Sequence, residues 1–221
     1  MSRHGKLKLA VLISGRGSNM LAVEHACRSG QLNAEIVHVL SDRVDAAGLA
    51  AALDLGLPAA AVEATGFEAR DRFEAALELA IDRSGAELLL LAGFMRVLSG
   101  PFVQRYHGRL LNIHPSLLPK HKGLHTHRRA LAAGDREHGA SVHFVTAELD
   151  GGPVICRSRV AVRSDDTEQS LAARVLEREH RLYPFAVGLI ADGRLELKEA
   201  GMVLDGQALR APLEVDDRAQ P

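Results

Sequence analysis

An amide and an imidazole two positions apart, Asn112 and His114, close an apolar run in the stretch Leu110–Pro119, LLNIHPSLLP. In extended backbone, residues i and i+2 share a face, so both side chains reach one small volume. They would set a hydrogen-bond donor for a developing oxyanion beside a group that carries a proton. Pro115 and Pro119 stop regular structure just beyond, and open α/β sheets place their ligands at the carboxyl ends of strands. A plainer alternative fits this segment alone: Asn112 ends a strand and His114 is a half-buried histidine with local partners. A carboxylate is available downstream in Asp150, within ELDGGP at 148–153, although Asp-Gly is also an ordinary turn former. If Asp150 meets His114, the carboxylate favours the imidazolium and raises its pKa, giving a proton donor near neutral pH. No nucleophile stands beside these three, because Ser116 lies between prolines and Cys156 falls within a strand pattern. Direct transfer between two bound substrates therefore fits better than a covalent enzyme intermediate.

A second element with chemical potential is SGRGSN at 14–19, which follows the apolar run ending at Ile13 and precedes a helical pattern. Such a turn presents free backbone N–H groups to an anion at a helix N-terminus, and phosphate is the natural ligand. Ser18 or Asn19 can cap the helix or donate to a phosphate oxygen. Met20 stands where a dinucleotide fingerprint wants glycine, and the Gly-Lys-Ser/Thr ending of a P-loop is absent. A glycine-containing strand-to-helix turn is also common punctuation without a ligand. Seven histidines fall between His107 and His143 (His107, His114, His121, His125, His127, His138, His143), yet none shows an HExxH or comparable ligand spacing. No metal site is expected; His138 reads as a surface turn residue and His143, between Val142 and Phe144, as a structural strand histidine.

The elements that must position these groups alternate. Strand patterns cover 7–13, 35–40, weakly 59–62, 87–91, 110–113, 141–145 and 154–162; helical patterns cover 19–28, 46–55, 68–83, 125–133 and 167–182. This is an α/β chain with an open, mostly parallel, twisted sheet and helices on both faces. Leu88–Leu91 reads as buried on both sides. Segments 195–199 and 202–204 form a small C-terminal hairpin, and the polar tail 210–221 is expected to fray. With 221 residues and 47% hydrophobic content the expectation is one domain, with a phosphate-binding half at about 8–100 and a catalytic half at about 101–207. A formal charge of −1 without long blocks of one sign argues against nucleic acid and anionic membranes. Cys27 and Cys156 are too few and too distant for a disulfide framework, and no export signal or membrane span is evident, so a reduced cytoplasmic setting is expected.

Five segments together carry a resemblance: GRGSNM at 15–20, LAGFMRVLS at 91–99, LLNIHPSLLPKHKGLHTH at 110–127, HGASVHFVTAELDGGPVI at 138–155 and EREH at 177–180. In this order they resemble the glycinamide ribonucleotide formyltransferases of purine biosynthesis, folate-dependent enzymes with a Rossmann-like fold, from about residue 8 to about 207. The resemblance implies formyl transfer from 10-formyltetrahydrofolate to the amine of 5′-phosphoribosylglycinamide, without a metal. It implies that Asn112 and His114 contact the formyl oxygen and its tetrahedral intermediate, and that Asp150 holds His114 and a water. Gly17, Ser18 and Asn19 would hold the substrate phosphate and Glu179 its ribose or glycinamide part. Met95, Arg96, Val97 and Leu98, with Asn112, Thr146, Ala147, Glu148, Leu149 and Asp150, would line the folate pocket, and Arg70 would meet the folate tail. A monomer or weak homodimer is expected. The chain departs at His121–Lys122, where a Tyr-Pro pair is one familiar form, and at Arg16, where some members carry a small or polar residue.

Three rivals share parts of this pattern. A methionyl-tRNA formyltransferase would add a C-terminal domain and a basic face, and a formyltetrahydrofolate deformylase would add an N-terminal regulatory domain ahead of Lys8. A non-catalytic nucleotide-binding module would be expected to lack one of Asn112, His114 and Asp150, all of which are present. A metal hydrolase is the remaining outside reading.

Overall fold

The computed structural model describes residues 5–216. In chain order they form β1 (Leu7–Ile13), α1 (Ser18–Arg28), β2 (Ala34–Ser41), α2 (Ala47–Asp54), β3 (Ala59–Ala61), α3 (Arg70–Ser84) and β4 (Leu88–Leu91). There follow α4 (Gly100–Arg105), β5 (Leu110–His114), α5 (Thr126–Ala132), β6 (Glu137–Phe144), β7 (Val154–Ala161) and α6 (Glu168–Ala191). The described chain closes with β8 (Leu195–Lys198), β9 (Gly201–Leu204), β10 (Gln207–Ala208) and β11 (Leu213–Glu214). The eight-stranded sheet has the order β11-β7-β6-β5-β4-β1-β2-β3. Strands β3, β2, β1, β4 and β5 pair in parallel, whereas β6 is antiparallel to both β5 and β7.

Period-two alternation distributes the central strands between two cores. Leu9, Val11 and Ile13 of β1 and Leu88 and Leu90 of β4 face α1 and α6, while Ala10, Leu12, Leu89 and Leu91 face α3 and α4. Leu88–Leu91 is buried on both sides as the run of four leucines predicts. Because β1, β4 and β5 are parallel, the loops that follow them leave the same edge of the sheet. α6 is fastened to that edge by Tyr183, whose buried hydroxyl lies 3.1 and 3.2 Å from the carbonyl oxygens of Leu91 and Leu111.

Several elements differ from their sequence-based bounds. α6 runs nine residues past Leu182 despite Pro184, because Tyr183, Ala186, Val187 and Leu189 bury an apolar face that outweighs the lost N–H. β6 starts at Glu137 rather than Ser141, and there Gly139 passes so close to β7 that a Cβ would sit 2.0 Å from the Ser158 oxygen. Gly100–Arg105, for which the sequence patterns gave no element, is a short helix capped by Ser99, which accepts from the Phe102 N–H. The expected hairpin is β8–β9, extended by β10. Within the expected frayed tail, Leu213–Glu214 pairs with β7, and Glu214 is held by Arg157 and Arg159; residues 217–221 lie outside the described residues.

Candidate functional site

β5 ends at the sheet edge with Asn112 and His114 on one face, and its antiparallel neighbour β6 sets His143 directly opposite Asn112. The third group arrives on the turn after β6, where Asp150 adopts a left-handed backbone with φ of 47° that Asp tolerates better than most residues. Its carboxylate lies 3.5 Å from His114 Nδ1 and accepts the Gly123 N–H at 2.8 Å. Asn112 Nδ2 is 3.4 Å from Asp150 Oδ1 and 3.1 Å from His143 Nε2. His143 Nδ1 is 2.9 Å from the Phe144 carbonyl, which can only accept, so Nδ1 carries the proton and Nε2 is free to accept from Asn112. By the same logic His114 Nε2 donates to the His121 carbonyl at 3.0 Å, which leaves Nδ1 facing the carboxylate. The structure thus brings Asn112, His114 and Asp150 together.

Charge in this cluster follows from burial. His114 is 6% exposed, and desolvation pulls its pKa below the ordinary imidazole value, although the His121 carbonyl and Asp150 act the other way. Asp150 acts upward as expected, but the expected net rise is corrected: burial outweighs a carboxylate 3.5 Å away. For Asp150 burial would raise the pKa, but the neighbouring His143 and His114 imidazoles and the hydrogen bond from the Gly123 N–H outweigh it and hold the carboxyl down at about 2. Ser116 is fully buried and donates to the Lys120 carbonyl, and Cys156 is buried in β7 with its thiol pKa raised by desolvation. Neither stands as a nucleophile beside the cluster.

The loop after β1 caps α1 with Gly17 in a left-handed conformation, φ 72° and ψ 22°; no side chain of Ser18 or Asn19 caps the helix. A Cβ on Gly17 would lie 3.0 Å from the Gly48 Cα, so the turn admits only glycine without adjustment. Asn19 points inward instead. Its Nδ2 donates to Glu179 of α6 at 2.7 Å, and its Oδ1 is buried without a partner among the described residues. Burial raises the Glu179 pKa, opposed by the Asn19 bond. The structure therefore joins Asn19 and Glu179, which are 160 positions apart in sequence.

The loop after β4 lies beside this turn. Met95 donates its N–H to Ser14 Oγ at 2.9 Å, and Arg96 pairs with buried Asp42 at 2.9 Å. Arg70, the first residue of α3, donates to the Val97 carbonyl, so that it joins the 95–98 segment, whose Leu98 is buried. Thr146, Ala147, Glu148 and Leu149 form the turn that carries Asp150, and Glu148 is bonded to Lys122 at 2.6 Å. Met95, Val97, Leu124 and Leu149 leave more than half of their surface exposed, an apolar rim contributed by the loops that carry or adjoin the polar cluster. A cavity of about 530 Å³ opens between the loops after β1, β2 and β4, lined by Ser14, Asp42, Asp45, Met95 and Arg96 among others.

Residues 7–187 match the family model described as formyl transferase. The chain belongs to the formyl transferase family. It is 48% identical over 203 residues to the phosphoribosylglycinamide formyltransferase of Escherichia coli (strain K12), covering 92% of this chain and 96% of that protein. Its structure resembles that of the phosphoribosylglycinamide formyltransferase from Coxiella burnetii in complex with CHES, with a TM-score of 0.91, 44% identity and coverage of 96% and 100%. The formyltetrahydrofolate deformylase from Burkholderia mallei is more distant: TM-score 0.82, 29% identity, 90% of this chain but 70% of that one.

In this formyl transferase His143 is the buried strand histidine that its place between Val142 and Phe144 marks, with both ring nitrogens partnered, and only the β5–β6 register shows that Asn112 is the side chain it meets. His138 is not in a surface turn: it lies in β6, 1% exposed, 3.1 Å from His127 Nδ1, and desolvation lowers its pKa to about 4. Among the described residues no group of three or more His, Cys, Asp or Glu is arranged to hold a metal, and no helix is long and apolar enough to cross a membrane.

Proposed function

We propose that this formyl transferase moves the formyl group of 10-formyltetrahydrofolate onto the amine of 5′-phosphoribosylglycinamide, with Asn112, His114 and Asp150 at the reacting centre. The observation that carries this reading is the buried contact of His114 with Asp150 beside an Asn112 amide whose orientation His143 fixes. The substrate amine attacks the formyl carbon, forming a C–N bond while the carbonyl oxygen becomes an oxyanion. The Asn112 N–H that spans the long 3.4 Å contact to Asp150 donates to that oxygen while the other stays on His143. The new ammonium loses its proton to His114 Nδ1, directly or through a water held by Asp150, and the Asp150 carboxylate stabilises the imidazolium. Return of that proton to N10 of the folate accompanies cleavage of the C–N10 bond and releases tetrahydrofolate. A depressed His114 pKa suits this order, because the imidazole enters the cycle neutral and able to accept.

Backbone N–H groups at Gly17, Ser18 and Asn19 hold the phosphate, and Glu179, buried against Asn19, takes a hydroxyl or amide donor of the same substrate. Residues 95–98 and 146–150 line the folate pocket, with Arg70 toward its acidic tail. Both substrates therefore meet across one domain, and the division into a phosphate half and a catalytic half is crossed by the Asn19–Glu179 bond. The reading also carries a monomer or weak homodimer, no nucleic-acid partner, and a cytoplasmic setting in which Cys27 and Cys156 stay thiols. An absorbance assay with 10-formyltetrahydrofolate, run with and without glycinamide ribonucleotide and without added metal, tests it. Turnover that requires the amine substrate supports the proposal; turnover without it makes the chain a deformylase, and none in either arm overturns catalysis.

A further inference from the structure

Glu74, in the second turn of α3, is 6% exposed and spends both oxygens on partners at the loop after β4. It accepts the Ser99 N–H at 2.7 Å and the Ser99 hydroxyl through one or the other oxygen, and the Arg70 Nε at 3.0 Å. Ser99 in turn caps α4. Arg70 is thereby held at two points, Nε on Glu74 and Nη2 on the Val97 carbonyl, while Nη1 has no partner among the described residues and half the side chain is exposed. Arginine's planar fork makes this decisive: with one edge fixed, the direction of its remaining N–H groups is fixed as well. Burying the Glu74 carboxylate carries a desolvation cost that its pair with the half-exposed Arg70 offsets only in part, so its presence calls for another reason.

We propose that Glu74 is a positioning residue for the folate donor, holding the Arg70 guanidinium by its Nε edge so that Arg70 meets the donor's terminal carboxylate. This rests on the reading above that Arg70 faces the folate tail. The chain contains its own control. Glu24, 5% exposed on α1, holds Arg28 at 2.6 Å, and Arg28 donates to the Leu55 carbonyl, the same arrangement at a loop the folate reading does not use.

The test is steady-state kinetics on the full chain with 10-formyl-5,8-dideazafolate and with its pteroate counterpart, which lacks the glutamate. Variants Arg70→Ala, Glu74→Gln and Glu24→Gln are compared with the parent. In Arg70→Ala and Glu74→Gln, KM for the glutamate-bearing donor should rise about tenfold, the scale of one charge-assisted hydrogen bond. Their kcat, KM for glycinamide ribonucleotide and KM for the pteroate donor should stay within about twofold of the parent, on the same reasoning that only the tail contact is lost. Glu24→Gln should lower thermal stability without separating the two donors. Should Arg70→Ala fail to separate them, the folate-tail reading falls, and the proposal with it. If Arg70→Ala separates them and Glu74→Gln does not, or if Glu74→Gln raises every KM alike, Glu74 is structural and the proposal alone is overturned. Glu74→Asp, which keeps the charge but cannot span Arg70 and Ser99 together, gives the same readout if the glutamine variant does not fold.

Discussion

At the carboxyl end of β5, Asn112, His114, His143 and Asp150 occupy one another's hydrogen-bonding groups. At the carboxyl end of β1, the turn Gly15–Asn19 offers backbone and a side-chain bond from Asn19 to Glu179. In the proposed reaction the first arrangement fixes where charge develops, so its cost of organisation is met during folding. The second takes its shape from two glycines, and the same proposal gives its backbone donors to the substrate phosphate. Chemistry needs groups aimed to within fractions of an ångström, whereas an anion is recognised by any set of N–H groups that converge on it.

Breaking the first end should have the larger effect. His114→Ala and Asp150→Asn are expected to lower kcat by roughly 100- to 10,000-fold with the fold retained; near-parental rates in both, or unfolding of both by circular dichroism, would count against the assignment. Asn112→Ala should cost about 100- to 1,000-fold, the loss of one oxyanion donor. Gly17→Ala attacks the other end: the left-handed backbone and the contact with Gly48 should raise KM for the phosphorylated amine by about tenfold, from roughly 1–2 kcal/mol of strain, while kcat holds. A fall in kcat alone would show that the two ends are not separable.

pH sharpens the same contrast. Burial lowers the His114 pKa in the folded protein, so kcat should fall on the acid side with a midpoint below 6.5. A midpoint above 6.5 would mean that Asp150 outweighs desolvation. For stability, a histidine with a depressed folded pKa binds its proton more readily when unfolded. Its contribution is full above about 6.5 and is lost as pH falls through the folded value, about 4 for His138. Each unit of that depression is worth about 1.4 kcal/mol, read as a fall in denaturation midpoint between neutral and acid pH. The smallest effect is expected from Glu179→Gln, a KM for the phosphorylated amine raised only a few-fold, because Asn19 keeps an acceptor.

Much of this was legible beforehand where local pattern and global structure agree. The alternating strands and helices, Leu88–Leu91 as a central strand, and Asn112 and His114 on one face all follow from periodicity. Glu179 and the remaining pocket residues came from the likeness of whole segments, since a helical glutamate has no local signature of its partner. What stayed hidden depends on the third dimension. The Asn112–His143 pairing needs the register, the length of α6 needs the face it buries, and the sign of the His114 shift needs depth from solvent. Polar composition concealed β11, which exists because Arg157 and Arg159 hold Glu214 at the sheet margin.

The antiparallel register that sets Asn112 against His143 has a consequence for the newly made chain. Slipping that pairing by one residue would turn the facing side chains to opposite sides, so the amide would lose the imidazole that aims it. In the proposed reaction, a polypeptide with every helix and strand formed but these two mismatched would lack its aimed oxyanion donor, so transfer activity would report the register of the sheet as well as its presence.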